Sequence, residues 1–133
     1  MLVEGQGSII HPGYSGVTMG LIHGSLPHAM VMCHQPSRKH IGNNTWVEIP
    51  PLAAFIKLHE AIVAHLRPAP VIAVSLNTYD LSLRAAKAAI AKTQKSTGLP
   101  ATDPVRFDPG PIADAIDRFH RRRAKGPAKK RAR

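Results

Sequence analysis

The chain has 133 residues, 44% of them hydrophobic, and a formal net charge of +10. That length gives one domain with a modest core and excludes a second full domain. Its apolar runs are broken by His, Gly or Pro well short of the roughly 18 residues that a membrane span needs, which excludes a transmembrane helix.

In chain order, residues 1–3 read as the end of a buried strand that runs into Val3-Glu4-Gly5-Gln6-Gly7-Ser8. An acid at a strand end, followed by a glycine pair, puts a carboxylate at the C-terminal edge of a sheet, where α/β proteins bind ligands. Glu4 is therefore the first candidate, as a catalytic group or as a Mg²⁺ ligand held directly or through water. Gly5, Gly7 and Ser8 would let the backbone approach a cofactor closely. The same pattern also suits a plain turn with a solvated Glu4. Signal-peptide features are lacking at this end, because no basic region and long apolar run follow Met1.

The next segment, residues 11–18, is dense in turn formers and hydrogen-bonding groups. His11 can act as acid or base near neutral pH, and Ser15 or Thr18, at the start of a short helix near residues 17–23, would offer hydroxyl and N–H donors to an anion. Residues 29–33 form a second strand-like run. Cys33 within it is the sole cysteine, so no intrachain disulfide forms and a reducing cytoplasm is the expected compartment. It reads as a small buried hydrophobe. Directly after that strand, Arg38 is an expected anion contact at the same sheet edge as Glu4.

Leu52, Phe55, Ile56, His59, Ile62, Val63 and Leu66 recur at three- and four-residue steps and predict a helix over residues 51–66. A third strand spans 71–76, and Asn77 follows it as a further cofactor contact. Asp80 or Ser82 can cap a helix reaching residue 97, with Gly98 as its stop. The loop 102–106 carries Asp103 and Arg106, which can pair with each other or with ligand. A last helix is predicted over 111–122. Strands alternating with helices indicate an α/β fold with parallel βαβ units.

The charge is concentrated at one end: residues 118–133 hold nine Lys and Arg and no acid, leaving nine bases against eight acids before them. This divides the chain into an α/β body, 1–117, and an end of the last helix plus a basic, solvated tail, 118–133. The tail lacks interleaved aromatic residues, so it would meet nucleic acid only non-specifically, by charge. The eight histidines lack the spacing of a zinc site.

Taken together, residues 3–8 and 11–18, Cys33-His34-Gln35-Pro36, Asn77-Thr78 and residues 98–106 resemble the D-glutamate N-acetyltransferase family, over about residues 2–107. The resemblance implies a cytoplasmic protein whose second domain is of phosphate-loop type. It implies a partial, parallel, three-layer P-loop NTPase-like sheet of about three strands with three to four helices. The implied reaction moves an acetyl group from acetyl-CoA to the amine of D-glutamate, with acetyl-CoA or a nucleotide as cofactor and Mg²⁺ as a further candidate ligand. A phosphate loop needs Gly-x-x-x-x-Gly-Lys-[Ser/Thr], and no such run occurs in the sequence. The chain thus reads as a C-terminal fragment, inactive alone, whose open edge at the Val3 strand invites homo-oligomerisation. The alternative is a non-catalytic remnant whose tail binds anionic partners.

Overall fold

The computed structural model describes residues 1–5 and 8–125. In chain order it contains α1 (Ser15–Ser25), β1 (Met30–His34), β2 (His40–Ile41), β3 (Asn44–Glu48), α2 (Leu52–Ala64), β4 (Val71–Leu76), α3 (Leu83–Thr97), β5 (Ala101–Thr102) and α4 (Gly110–Ala124). The expected α/β class holds, with four helices around a three-stranded parallel sheet of order β1-β4-β5.

The membership of that sheet differs from the sequence expectation. Residues 1–3 form no strand: Met1 and Leu2 are almost wholly exposed and Val3 is half exposed. A strand exists only where a neighbour completes its ladder, and residues 1–3 have no such neighbour among the described residues. The third strand is instead β5, where Ala101 and Thr102 pair with Val74 and Ser75. A two-residue strand leaves no periodicity to read. The antiparallel hairpin of β2 and β3 is likewise new; it turns through Gly42 and Asn43, with Gly42 at φ +49°.

Order β1-β4-β5 moves twice in one direction, so two right-handed crossovers put α2 and α3 on one face. Phe55 and Ile56 of α2 form a core with Met32, Val71, Val74, Leu76 and Ala101, joined by Ile90 of α3. Helix α1 extends this core through Ile22, which packs with Val63 and Ala69. Helix α4 lies on β4 and β5 outside that core and supplies the third layer.

The ends of α3 follow local chemistry. The Ser82 hydroxyl accepts from Ala85 N–H at 3.2 Å, the N-cap bond that satisfies one orphan donor. Gly98 closes the helix in the left-handed region, φ +70°, with its N–H on the Gln94 carbonyl. The basic run enters α4 as far as Arg123, where Arg121 pairs with Asp117 at 2.7 Å. The expected tail beyond residue 125 lies outside the described residues. No helix among the described residues is long and apolar enough to cross a membrane.

Candidate functional site

The C-terminal ends of β1, β4 and β5 open into a cleft of about 400 Å³ lined by Cys33, His34, Asn77, Tyr79, Val105 and Arg106, among others. The loops around it are braced by one buried carboxylate. Asp103 is 2% exposed; one of its oxygens accepts from the Thr78 N–H at 2.9 Å and from the Thr78 hydroxyl at 2.6 Å. Its other oxygen takes the Val105 and Arg106 N–H groups at 3.0 and 3.2 Å. Burial pushes this carboxyl up, but the bonds from the Thr78 hydroxyl and from the N–H groups of Thr78, Val105 and Arg106 outweigh it and hold it below the ordinary value.

The Arg106 guanidinium does not pair with Asp103. Its Nη1 donates to the carbonyls of Thr78 and Leu81, the latter at 2.8 Å. Asp and Arg therefore clamp the same turn from two sides. The Asn77 N–H donates to the His34 carbonyl at 2.9 Å and ties the β1 and β4 loops together, while the Asn77 side chain accepts from Tyr79 N–H at 3.2 Å in a local turn. Between the loops that follow β1 and β4, Gln35 Nε2 donates to Asp80 at 3.3 Å.

Cys33 is exposed, contrary to its expected burial. Side chains alternate along a strand, so the inward Met32 turns Cys33 to the opposite face. Desolvation pushes the Cys33 thiol up and the Glu4 carboxylate adds to the shift, so it stays a thiol at neutral pH. The same interaction puts Glu4 within electrostatic reach of the end of β1. His34, next along the strand, is lowered by burial and is neutral at pH 7.

The remaining candidates are dispersed. His11 Nδ1 accepts from Gly13 N–H at 3.0 Å, its ring lies 4.6 Å from that of Tyr14, and its Nε2 faces the Asn44 amide at 3.5 Å. The N–H groups of Ser15 and Thr18, expected to meet an anion, donate instead to the His11 and Tyr14 carbonyls at 3.0 and 3.1 Å, and the Thr18 hydroxyl also donates to Tyr14. These two N–H groups are thereby engaged within the chain at the start of α1. Ser8 Oγ accepts from Ile10 N–H at 3.4 Å. Gly5 has a packing reason to lack a side chain, because a Cβ there would run into Leu21 Cδ2. Gly7 lies outside the described residues. Arg38 lines a second cavity, which meets the first at His34.

No group of three or more His, Cys, Asp or Glu side chains able to hold a metal occurs among the described residues. Tyr79 and Cys33 were not singled out as site residues by the sequence. Tyr79 had a usable signal, since it follows Asn77 in the same loop after a strand.

Residues 1–113 match the family model described as a domain of unknown function, the DUF1611_C P-loop domain. The chain belongs to this family. It is 38% identical over 117 residues to a D-glutamate N-acetyltransferase of Tritonibacter scottomollicae, covering 86% of this chain and 35% of that protein. A protein of the same name from a Pseudoalteromonas species is 34% identical over 106 residues, covering 79% of this chain and 32% of the relative. The chain thus spans about a third of the length of these curated relatives. The crystal structure of a DUF1611 family protein from Anabaena variabilis superposes with a TM-score of 0.81 at 45% identity, covering 86% of this chain and 34% of that one.

Proposed function

We propose that this chain supplies one wall of the acetyl-transfer site of a D-glutamate N-acetyltransferase, at the cleft between the ends of β1, β4 and β5. What carries the reading is the likeness to relatives of that name over 86% of the chain, together with a cleft of ligand size at the edge where parallel sheets bind ligands.

Transfer to an amine needs the acceptor nitrogen free of its extra proton, attack on the thioester carbonyl, and departure of the thiolate. His34, kept neutral by burial, is able to take that proton, and Glu4, near the end of the same strand, is the second candidate base. His11, held against Tyr14 and Asn44, is the third. Arg106 offers a fixed cation to an acceptor carboxylate, since its guanidinium is anchored on Thr78 and Leu81 through Nη1 alone. At about 400 Å³ the cleft has room for the acetyl and pantetheine end of acetyl-CoA rather than for the whole molecule. A Mg²⁺ ion on Glu4 would need water or phosphate oxygens to complete its shell, and no step is assigned to it.

The sequence has no Gly-x-x-x-x-Gly-Lys-[Ser/Thr] run, so binding rather than turnover is the property expected of this chain by itself. Titration of the ¹⁵N-labelled chain with acetyl-CoA should shift the amide signals of Cys33, His34, Asn77 and Tyr79, and D-glutamate should shift that of Arg106. A spectrum indifferent to both at millimolar concentration would sink the proposal.

A further inference from the structure

The cavity on the far side of His34 has a different character from the cleft. It measures about 580 Å³ and lies between the β2-β3 hairpin and α3. Arg38 and Lys39 reach it from the loop after β1, and Lys92 reaches it from α3. Glu48 is its one carboxylate, so three fixed cations face a single fixed anion. None of the three cations makes an ion pair among the described residues, where the single such pair is Arg121 with Asp117. Arg38 is near enough to Asp80 to help hold that carboxyl down, behind hydrogen bonding from Ser37, but Asp80 does not line the cavity.

Cations gathered around one concavity repel each other, a cost that a polyanion removes. Two imidazoles, those of His34 and His40, and the hydroxyls of Thr93 and Ser96 add hydrogen-bonding groups to the same wall. Ile49, Pro50, Leu52 and Ala89 of the lining are half-buried, whereas the three cations are exposed, so the apolar part lies deeper than the charge. Charge at the rim and an apolar floor together match a molecule with both phosphates and a flat organic part.

We propose that the cavity bounded by Arg38, Lys39 and Lys92 is a binding site for a diphosphate-bearing small molecule. This site stands apart from the acetyl-transfer reading, because its recognition is of phosphate and needs no acetyl group. Two sources share the chemistry, a free nucleoside diphosphate and the diphosphate portion of coenzyme A.

Calorimetry on the full chain with ADP, inorganic pyrophosphate, coenzyme A and adenosine tests it. ADP and pyrophosphate should bind saturably and adenosine should not, with affinity falling as salt rises. Coenzyme A that displaces ADP and is itself weakened by Arg38→Gln assigns the site to the acyl donor; ADP binding that coenzyme A does not displace assigns it to a separate nucleotide. Lys92→Gln and Arg38→Gln should each weaken ADP by about tenfold. Lys87→Gln, on α3 but outside the cavity, controls for net charge and should change little. Absence of binding by both ADP and pyrophosphate overturns the proposal, as does unchanged ADP affinity in a folded Arg38→Gln/Lys92→Gln double variant. The cleft is read separately: acetyl-CoA shifts at Cys33 and Asn77 that persist in the Arg38→Gln/Lys92→Gln double variant leave the acetyl-transfer reading standing when this site fails, because none of these four residues is shared between the two linings.

Discussion

Asp103 receives both the backbone N–H and the hydroxyl of Thr78 on one carboxylate oxygen, at 2.9 and 2.6 Å, in a position closed to solvent. With Val105 and Arg106 on the other oxygen, this one side chain holds the two loops that frame the cleft.

Asp103→Asn should destabilise the fold by about 2–3 kcal/mol, because an amide nitrogen would meet two N–H donors or the Thr78 pair. Urea unfolding of the variant checks this. The carboxyl is held below its ordinary value of about 4, so its stabilising contribution is complete above that pH and is lost as pH falls through the lower, folded-state value. The acid limb of the stability curve should therefore flatten in the variant.

His59 and His34 give a second, milder pH dependence. Burial lowers both, in His59 against an opposing hydrogen bond to the Phe55 carbonyl at 2.9 Å. The unfolded chain takes up protons first, so stability is full above about pH 6.5 and declines as pH drops through the folded-state values. Melting temperature between pH 7.5 and pH 5.5 should fall in the parent and fall less in His59→Leu.

Gly98→Ala tests the stop of α3. At φ +70° an L side chain is strained, and the expected loss is about 1 kcal/mol. A variant as stable as the parent in thermal unfolding would mean that the helix ends by other means.

Gly5→Ala separates packing from ligand approach. The added methyl meets Leu21, so the variant should lose about 1 kcal/mol, and Leu21→Ala in the same chain should recover part of that loss. Failure of the second change to compensate would shift the reason for Gly5 away from α1.

The sequence disclosed the elements that are long and regular. The stripe from Leu52 to Leu66 specified α2, Ser82 and Gly98 bracketed α3, and the apolar runs at 29–33 and 71–76 became β1, one residue later, and β4. What escaped was short or set by partners. Ala101 and Thr102 are a strand only because Val74 and Ser75 lie beside them, and His40 and Ile41 only because Asn44 to Glu48 fold back on them. Residues 1–3 looked like a strand end by composition, yet pairing decides a strand, and they have no partner among the described residues. In the site, Asn77 and Arg38 were legible as groups that follow strands. Lys92 was not, since nothing in a helical lysine says which cavity its turn faces.

The lone thiol has a practical corollary. Cys33 sits on the cleft wall beside His34, open to solvent, with no other cysteine in the chain to compete. A maleimide dye would attach at one defined position without any mutation. Its slow reaction at neutral pH, which follows from the raised thiol, makes the labelling rate itself a gauge: a molecule that fills the cleft should shield the sulfur, and one that fills only the neighbouring cavity should leave it reactive.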